Sequence, residues 1–358
     1  MTDAPRRIVV RAPNWVGDVV MGTVAYRALR RSFPNAHITL LTKRAGALLL
    51  AGAPWFDETI VVPREGGVRA FLSLRAELRR RRFDLAVLLP NSFSAAWLAA
   101  AALVPRRLGY AFNGRRILLT DSLRPEMEGR RRRPKYMGDY YLDLLERVGV
   151  GRDEAGPELF VTADEESRWT ERRARLGLAP DERFVAVNPG ASFGPSKLWD
   201  SGSFARAADA IAARHGARVL VLCAPGEERI AREVEGALRS PRPIRTSDDP
   251  VPLDLLKPCL RDAFLLLTTD TGPRHVAVAF GRPLVAVMGP TDPRYTAAFL
   301  GRTRVLRVDV PCGPCHLKTC PLDHRCMTSI PPESMVAAAE ELLAAGAPAA
   351  VASGSRPG

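Results

Sequence analysis

Two short stretches hold side chains whose types and order suit group-transfer chemistry. Asn14-Trp15-Val16-Gly17-Asp18 lies between an apolar strand pattern at residues 8–11 and a helical pattern at 19–33. Asp270-Thr271-Gly272-Pro273-Arg274-His275 lies between a strand pattern at 264–269 and a helical pattern at 276–281. The first offers a carboxylate, Asp18, that could take a proton from an acceptor hydroxyl. Gly17 would let the backbone turn tightly there. A plain helix cap is the competing role for Asp18. The second offers exposed N–H groups at a helix start, where phosphate oxygens bind well. Pro273 suits the first helical position because its missing N–H is not needed. Thr271 and Gly272 can present N–H groups and a hydroxyl to a diphosphate, and His275 can donate from the first turn. Capping by Asp270 or Thr271, with His275 packed on the sheet, is the structural alternative.

A third stretch follows Asn188-Pro189-Gly190. The loop 192–199 carries one Lys, Lys197, able to offset charge on a leaving diphosphate. Glu227 or Glu228, just past Pro225-Gly226, could bond ribose hydroxyls or simply complement a helix dipole. Asp248-Asp249-Pro250 reads as turn chemistry rather than a metal site. Cys312, Cys315, Cys320 and Cys326 stand in a C-x2-C-x4-C-x5-C array with His316 and His324 among them. That density suits a zinc or iron–sulfur knuckle, though the spacing matches no standard site closely; a reduced structural loop is its rival. Cys223 and Cys259 stand alone and read as small buried residues. No phosphate-binding G-x-x-x-x-G-K-[ST] loop occurs.

The elements that must hold these groups alternate between strand and helix patterns, which implies parallel sheets covered on both faces. Strands are expected near 8–11, 37–41, 59–62, 85–89 and 107–110, with helices at 19–33, 68–82, 94–103 and 136–148. A Gly, Pro and charge-rich break at 149–158 precedes a second run of alternation, so two doubly wound domains are expected in the 358 residues. They span 1–158 and 159–332, followed by a helix at 333–345 and a disordered tail at 346–358. Apolar runs are too short for a membrane span, and the polar start, residues 1–7, lacks a signal-peptide core. A cytoplasmic protein is expected.

Charge is lopsided. Residues 1–160 carry 27 Lys and Arg against 16 Asp and Glu; the remainder carries 25 against 23. The runs 79–82 and 130–133 dominate the excess. An anionic partner for this half is therefore expected: nucleic acid, a membrane surface or a phosphorylated acceptor. At 7% aromatic content and with no nucleic-acid-binding motif, nucleic acid is disfavoured.

Taken together, Arg11-Ala12-Pro13-Asn14-Trp15-Val16-Gly17-Asp18, Gly190-Ala191-Ser192-Phe193-Gly194 with Lys197, Asp270-Thr271-Gly272-Pro273 with His275, and the cysteine segment at 311–326 resemble glycosyltransferase family 9, the lipopolysaccharide heptosyltransferases. The Asn-Trp-Val-Gly-Asp and cysteine segments point to its type II branch. The resemblance runs from about residue 7 to about 345. Thr269, Arg274 and Leu198 depart from the usual pattern.

The resemblance implies a GT-B fold, two Rossmann-like doubly wound domains facing across a cleft, the C-terminal one binding the nucleotide sugar. It implies metal-independent, inverting transfer of L-glycero-D-manno-heptose from ADP-heptose to heptose I of the heptosyl-Kdo2-lipid A acceptor. Asp18 would be the base, with Asn14 and Gly17 on the acceptor side. Ser192 and Lys197 would meet the diphosphate, and Glu227 the ribose. Asp270 would bind heptose hydroxyls, with Thr271, Gly272 and His275 at phosphates or heptose. The acceptor's acidic groups would match the basic half and bring the enzyme peripherally to the cytoplasmic face of the inner membrane. Heptosyltransferase I, another family 9 sugar transferase, and a non-catalytic nucleotide-binding module are the alternatives.

Overall fold

The computed structural model describes residues 4–63, 67–129 and 131–346. Arg130 and the expected tail beyond residue 346 lie outside the described residues. The chain forms two compact units, Met1–Glu166 with Arg294–Ala297, and Ser167–Pro293 with Ala298–Gly358.

The first unit contains β1 (Arg7–Arg11), α1 (Val16–Met21), α2 (Thr23–Ser32), β2 (His37–Thr42), α3 (Arg44–Leu49) and β3 (Glu58–Val61). It continues with α4 (Gly67–Arg81), β4 (Leu85–Leu88), α5 (Phe93–Ala101), β5 (Arg106–Tyr110) and β6 (Asp121–Leu123). The short hairpin β7 (Met127–Glu128) and β8 (Arg131–Arg132) and the helix α6 (Met137–Glu146) complete it. Six parallel strands lie in the order β3-β2-β1-β4-β5-β6, so the chain reverses its direction of travel between β1 and β4. Val9 of β1 stands opposite Thr39 and Ala86. β1, β2 and β4 are buried nearly throughout, as strands covered on both faces must be. Leu74 and Leu78 of α4 and Ala96, Leu98 and Ala99 of α5 join Val9, Leu41, Ile60, Ala86 and Leu88 in one apolar cluster, which puts α4 and α5 on the same face of the sheet.

The helix expected over 19–33 is two helices. It starts earlier, at Val16, and breaks at Gly22, whose N–H bonds to Asp18 O at 2.9 Å. A Cβ at Gly22 would stand 3.0 Å from the Tyr26 hydroxyl. α3 and the β7–β8 hairpin have no counterpart in the sequence reading. The 149–158 break has no regular structure but is tied down, because Arg27 bonds Asp153 at 2.7 Å and Glu158 at 2.5 Å.

The boundary between the units lies within α7 (Ala163–Arg175). The second unit then runs β9 (Phe184–Asn188), α8 (Ser201–His215), β10 (Arg218–Val221), α9 (Glu228–Ala237), α10 (Leu256–Asp262), β11 (Leu265–Thr269) and α11 (Gly272–Ala279). It closes with β12 (Leu284–Val287), β13 (Thr303–Leu306), α12 (Arg325–Thr328) and α13 (Pro332–Ala344). Its five parallel strands lie in the order β10-β9-β11-β12-β13, which places the reversal between β9 and β11. α8 and α13 flank a core of Val185, Val187, Leu265, Leu267, Val285 and Val287 with Phe204, Ile211 and Met335. No helix among the described residues is long and apolar enough to cross a membrane.

Candidate active site

In open α/β sheets ligands collect at the carboxyl ends of the strands where the chain reverses direction. The predicted residues occupy those ends in both units.

In the first unit, Asp18 is half-buried in the first turn of α1, just past the carboxyl end of β1. It is not the helix cap; Trp15 holds that position and makes no side-chain cap bond. Gly17 lies within α1 with no positive φ, so the tight turn expected of it is absent. Asn14 is exposed, and its Oδ1 accepts from Arg11 at 2.8 Å. The phenols of Tyr26 and Tyr141 lie within electrostatic range of Asp18. Burial, reinforced by that carboxylate, pushes both well above the usual tyrosine range.

The other side of this reversal point depends on a residue that sequence reasoning missed. Arg115 is fully buried. Its guanidinium bonds the carbonyls of Pro90 and Tyr110 and Asn91 Oδ1, which fixes the turn after β4. Burial lowers its pKa to about 10. Nearby, Tyr110 at the end of β5 stacks on Tyr140 with ring centroids 3.8 Å apart, and the Arg132 guanidinium covers Tyr140 at 4.1 Å. These residues line a cavity of about 420 Å³ together with Arg124, Arg133, Lys135, Glu126 and Asp143. Arg124 and Arg132 have no carboxylate partner among the described residues, so the cavity favours an anion. Runs of arginine signalled the charge; only folding gathered it around two stacked tyrosines.

In the second unit, α11 begins at Gly272 with Thr271 as its cap, so Pro273 is the second helical residue, not the first. The N–H it lacks is unneeded there too. The Thr271 side chain makes no cap bond; its Oγ1 accepts from Asn188 Nδ2 at 2.9 Å, as does Thr268 Oγ1 at 3.0 Å. Thr269 Oγ1 donates to the Gly190 carbonyl at 2.6 Å. These bonds lock the loops after β9 and β11 together.

Asp270 is buried with both carboxylate oxygens engaged. Lys197 Nζ reaches Oδ2 at 2.8 Å and the Asp270 carbonyl at 2.7 Å. Arg274 donates to Oδ1 at 2.7 Å, and Thr291 Oγ1 donates to Oδ2 at 2.9 Å. Burial raises the Asp270 carboxyl, but the Lys197 and Arg274 charges more than reverse this and hold it well below the usual carboxylate range. His275 beside them is neutral: burial, then the Arg274 charge, pushes its pKa down to about 3. It can therefore donate or accept one bond without adding charge. Arg274 was legible only as a departure from the family pattern. Its i, i+4 spacing from Asp270 across the helix start was the available signal.

Glu227 and Glu228 separate cleanly. Glu228 turns back to the Gly226 N–H at 3.0 Å. Glu227 lies against the Gly190–Ser192 loop, where burial raises its carboxyl and contacts with the Ala224 and Ala191 backbone and the Ser192 side chain oppose this. Gly190 makes room for it, since a Cβ there would meet Glu227 Oε2 at 1.9 Å.

The cysteine segment braces the Lys197 turn. Lys318 O accepts from Ser196 N at 3.0 Å, Leu317 O accepts from Ser196 Oγ at 2.5 Å, and His324 Nε2 meets Ser196 O at 2.7 Å. Cys326 is buried, Cys315 and Cys320 are half-buried, and Cys312 is exposed. Among the described residues no three His, Cys, Asp or Glu side chains gather as metal ligands.

Two doubly wound units, one ending in a carboxylate and the other in a cation-flanked helix start, make up a nucleotide-sugar glycosyltransferase of the GT-B class. The chain belongs to glycosyltransferase family 9 (heptosyltransferase), whose model matches residues 71–325. It is 29% identical over 314 residues to lipopolysaccharide heptosyltransferase 2 of Salmonella typhimurium, covering 84% of this chain and 88% of that one. Among solved structures it resembles E. coli ADP-heptose LPS heptosyltransferase II, with TM-score 0.78 and 25% identity over 95% of this chain and 99% of that one. A family 9 glycosyltransferase from Veillonella parvula matches with TM-score 0.80 and 24% identity, covering 95% and 97%.

Proposed function

We propose that this enzyme transfers L-glycero-D-manno-heptose from ADP-heptose to heptose I of the heptosyl-Kdo2-lipid A acceptor, with inversion at the anomeric carbon. The names of its type 2 relatives support the acceptor class. A related E. coli heptosyltransferase has been solved with ADP-2-deoxy-2-fluoro heptose, which supports the donor. The observation that carries the reading is the second unit's loop pair, with Glu227 against Gly190 and Ser192 and Lys197 beside the α11 start. An acidic residue and a helix N-terminus at one sheet reversal are what a ribose and a diphosphate require.

In this reading Glu227 accepts from the ribose hydroxyls and Ser192 donates to the diphosphate. The N–H groups of Thr271 and Gly272 and the neutral His275 donate to phosphate oxygens or the heptose. Lys197 and Arg274 give the site a positive field that Asp270 partly offsets, and the leaving ADP gathers its charge there. Asp270 acts on heptose hydroxyls only through lone pairs left over from its three protein donors. Asp18 takes the proton from the attacking acceptor hydroxyl, with Asn14 and Gly17 beside the acceptor. The basic cavity at Tyr140 suits acidic groups of the acceptor core. Work on such a lipid-borne acceptor belongs at the cytoplasmic face of the inner membrane. The cysteine segment serves as a brace for the Lys197 turn, and no step runs through it.

A donor–acceptor matrix tests this. ADP-, UDP- and GDP-linked sugars are each offered with lipid A acceptors bearing zero, one or two heptoses. ADP-heptose with the one-heptose acceptor should react fastest. Preference for the zero-heptose acceptor would move the enzyme to the type I activity. ADP binding without transfer to any acceptor would leave a nucleotide-binding module.

A further inference from the structure

One face of the first unit carries two features that neither the sheet nor the candidate site uses. α4, α5 and the one-turn helix Arg115–Leu118 cover the same side of the sheet and touch one another; Arg75 of α4 donates to Ala101 O of α5 at 3.0 Å. This layer and the residues ending it bear Val68, Leu72, Phe93, Trp97, Leu103 and Ile117. They are six of the twelve exposed large apolar residues among the described residues, and Val68 and Ile117 are 74% and 83% exposed. Val68 and Leu72 are spaced i, i+4, as are Phe93 and Trp97, so each pair stands on one side of its helix. Folding gains nothing from leaving these side chains in water.

The second feature is charge. Arg69, Arg79, Arg80, Arg82 and Arg116 are exposed in this layer and have no carboxylate partner among the described residues. The one acidic residue of the three helices, Glu77, is already paired with Arg81 at 2.9 Å. Over the same stretch Arg75, Arg81 and Arg115 each bond to groups within the fold. These arginines therefore face outward with no counter-ion among the described residues.

We infer that the α4–α5 face docks on an anionic lipid bilayer. A bilayer interface takes both features at once: aliphatic and aromatic side chains enter the boundary region, and arginines meet the headgroup phosphates. A nucleic acid would use the charge but leave Val68, Leu72, Leu103 and Ile117 in water. A second copy of this chain would bring five more unpaired arginines against the first five. The inference extends the reading of a lipid-borne acceptor, and its test keeps the two apart.

The full chain is mixed with vesicles of phosphatidylcholine alone or with about one-third phosphatidylglycerol, and bound protein is measured by flotation. Each arginine near an anionic surface is worth about fivefold in binding. Phosphatidylglycerol vesicles should bind at least about tenfold more protein, and added salt should weaken this. Two double variants are compared, Phe93→Ser with Trp97→Ser, and Arg79→Glu with Arg80→Glu. Each should lose about tenfold or more in vesicle binding and in transfer to acceptor embedded in vesicles. Each should keep wild-type turnover on a deacylated, water-soluble acceptor, which also shows that it folds. Equal binding to both vesicle types, undiminished binding by both variants, or a dimer in solution that the apolar variant breaks would overturn the inference. Failure of the wild type on the deacylated acceptor, with vesicle binding intact, would overturn the functional reading instead.

Discussion

Replacing Asp270 by Asn should destabilise the second unit far more than a surface change. The carboxylate sits 2.8 Å from Lys197 Nζ and 2.7 Å from the Arg274 guanidinium, with side-chain exposures of 11% and 1% for those cations. Removing one member of a buried ion pair costs about 3–5 kcal/mol, because the partner's charge stays buried. The lower end applies here. Asparagine keeps an Oδ1 for Arg274, and Lys197 keeps the Asp270 carbonyl. At about 2–4 °C per kcal/mol for a unit of this size, the melting temperature should fall by about 6–12 °C. The melt is followed by circular dichroism without nucleotide, since bound ligand adds stability by mass action. The sign with pH is fixed. The Asp270 carboxyl is held below its unfolded value, so its contribution is complete above about pH 4 and fades as acid protonates the folded form. The gap between wild type and variant should be flat from about pH 5 to 8 and close below about 4. Adding Arg274→Met to the variant should cost less than the sum of the two single changes. A fall under about 2 °C, or strict additivity, would refute the view of Asp270 as the counter-ion of this site.

Asp18→Asn should lower turnover about 10²- to 10⁴-fold with ADP affinity unchanged, measured by ADP release and calorimetry; unchanged turnover removes Asp18 as the base. Gly190→Ala must displace the Glu227 carboxylate, so the KM for ADP-heptose should rise about five- to tenfold, the worth of one hydrogen bond, and an unchanged KM would separate Glu227 from the donor. His275 has a folded pKa of about 3, below its unfolded value. The unfolded chain therefore binds the proton first, and stability should decline by about 1.4 kcal/mol per unit as pH falls from about 6.5 towards 3. His275→Gln should flatten that slope in urea titrations at pH 7, 6 and 5; parallel slopes would show that the histidine is not buried neutral. Arg115→Met leaves the carbonyls of Pro90 and Tyr110 without their donor, so the first unit should lose about 1–3 kcal/mol in urea unfolding, and no loss would mean the β4 turn holds itself.

The sequence by itself determined what depends on neighbours along the chain. Strand and helix periods gave two parallel α/β units, because burial on both faces writes a continuous apolar run such as Leu85–Leu88 or Leu284–Val287. Gly, Pro and carboxylates at the strand ends marked Asp18, Gly190 and Asp270, since local backbone chemistry confines such residues to those junctions. The charge imbalance was a matter of counting. Tertiary structure alone decided what side chains distant in sequence do to one another. It paired Lys197 with Asp270, set Glu227 rather than Glu228 against Gly190, and leaned the cysteine segment on Ser196. It buried Arg115 beneath the β4 turn and gathered Arg124 and Arg132 around stacked tyrosines. It also sorted the arginines of the basic half into those satisfied by the fold and those left facing outward. These outcomes follow from strand order and desolvation. Which loops meet is set by where the chain reverses across each sheet, and how strongly their charges interact is set by how little water reaches them, and neither quantity is written in any local stretch of sequence.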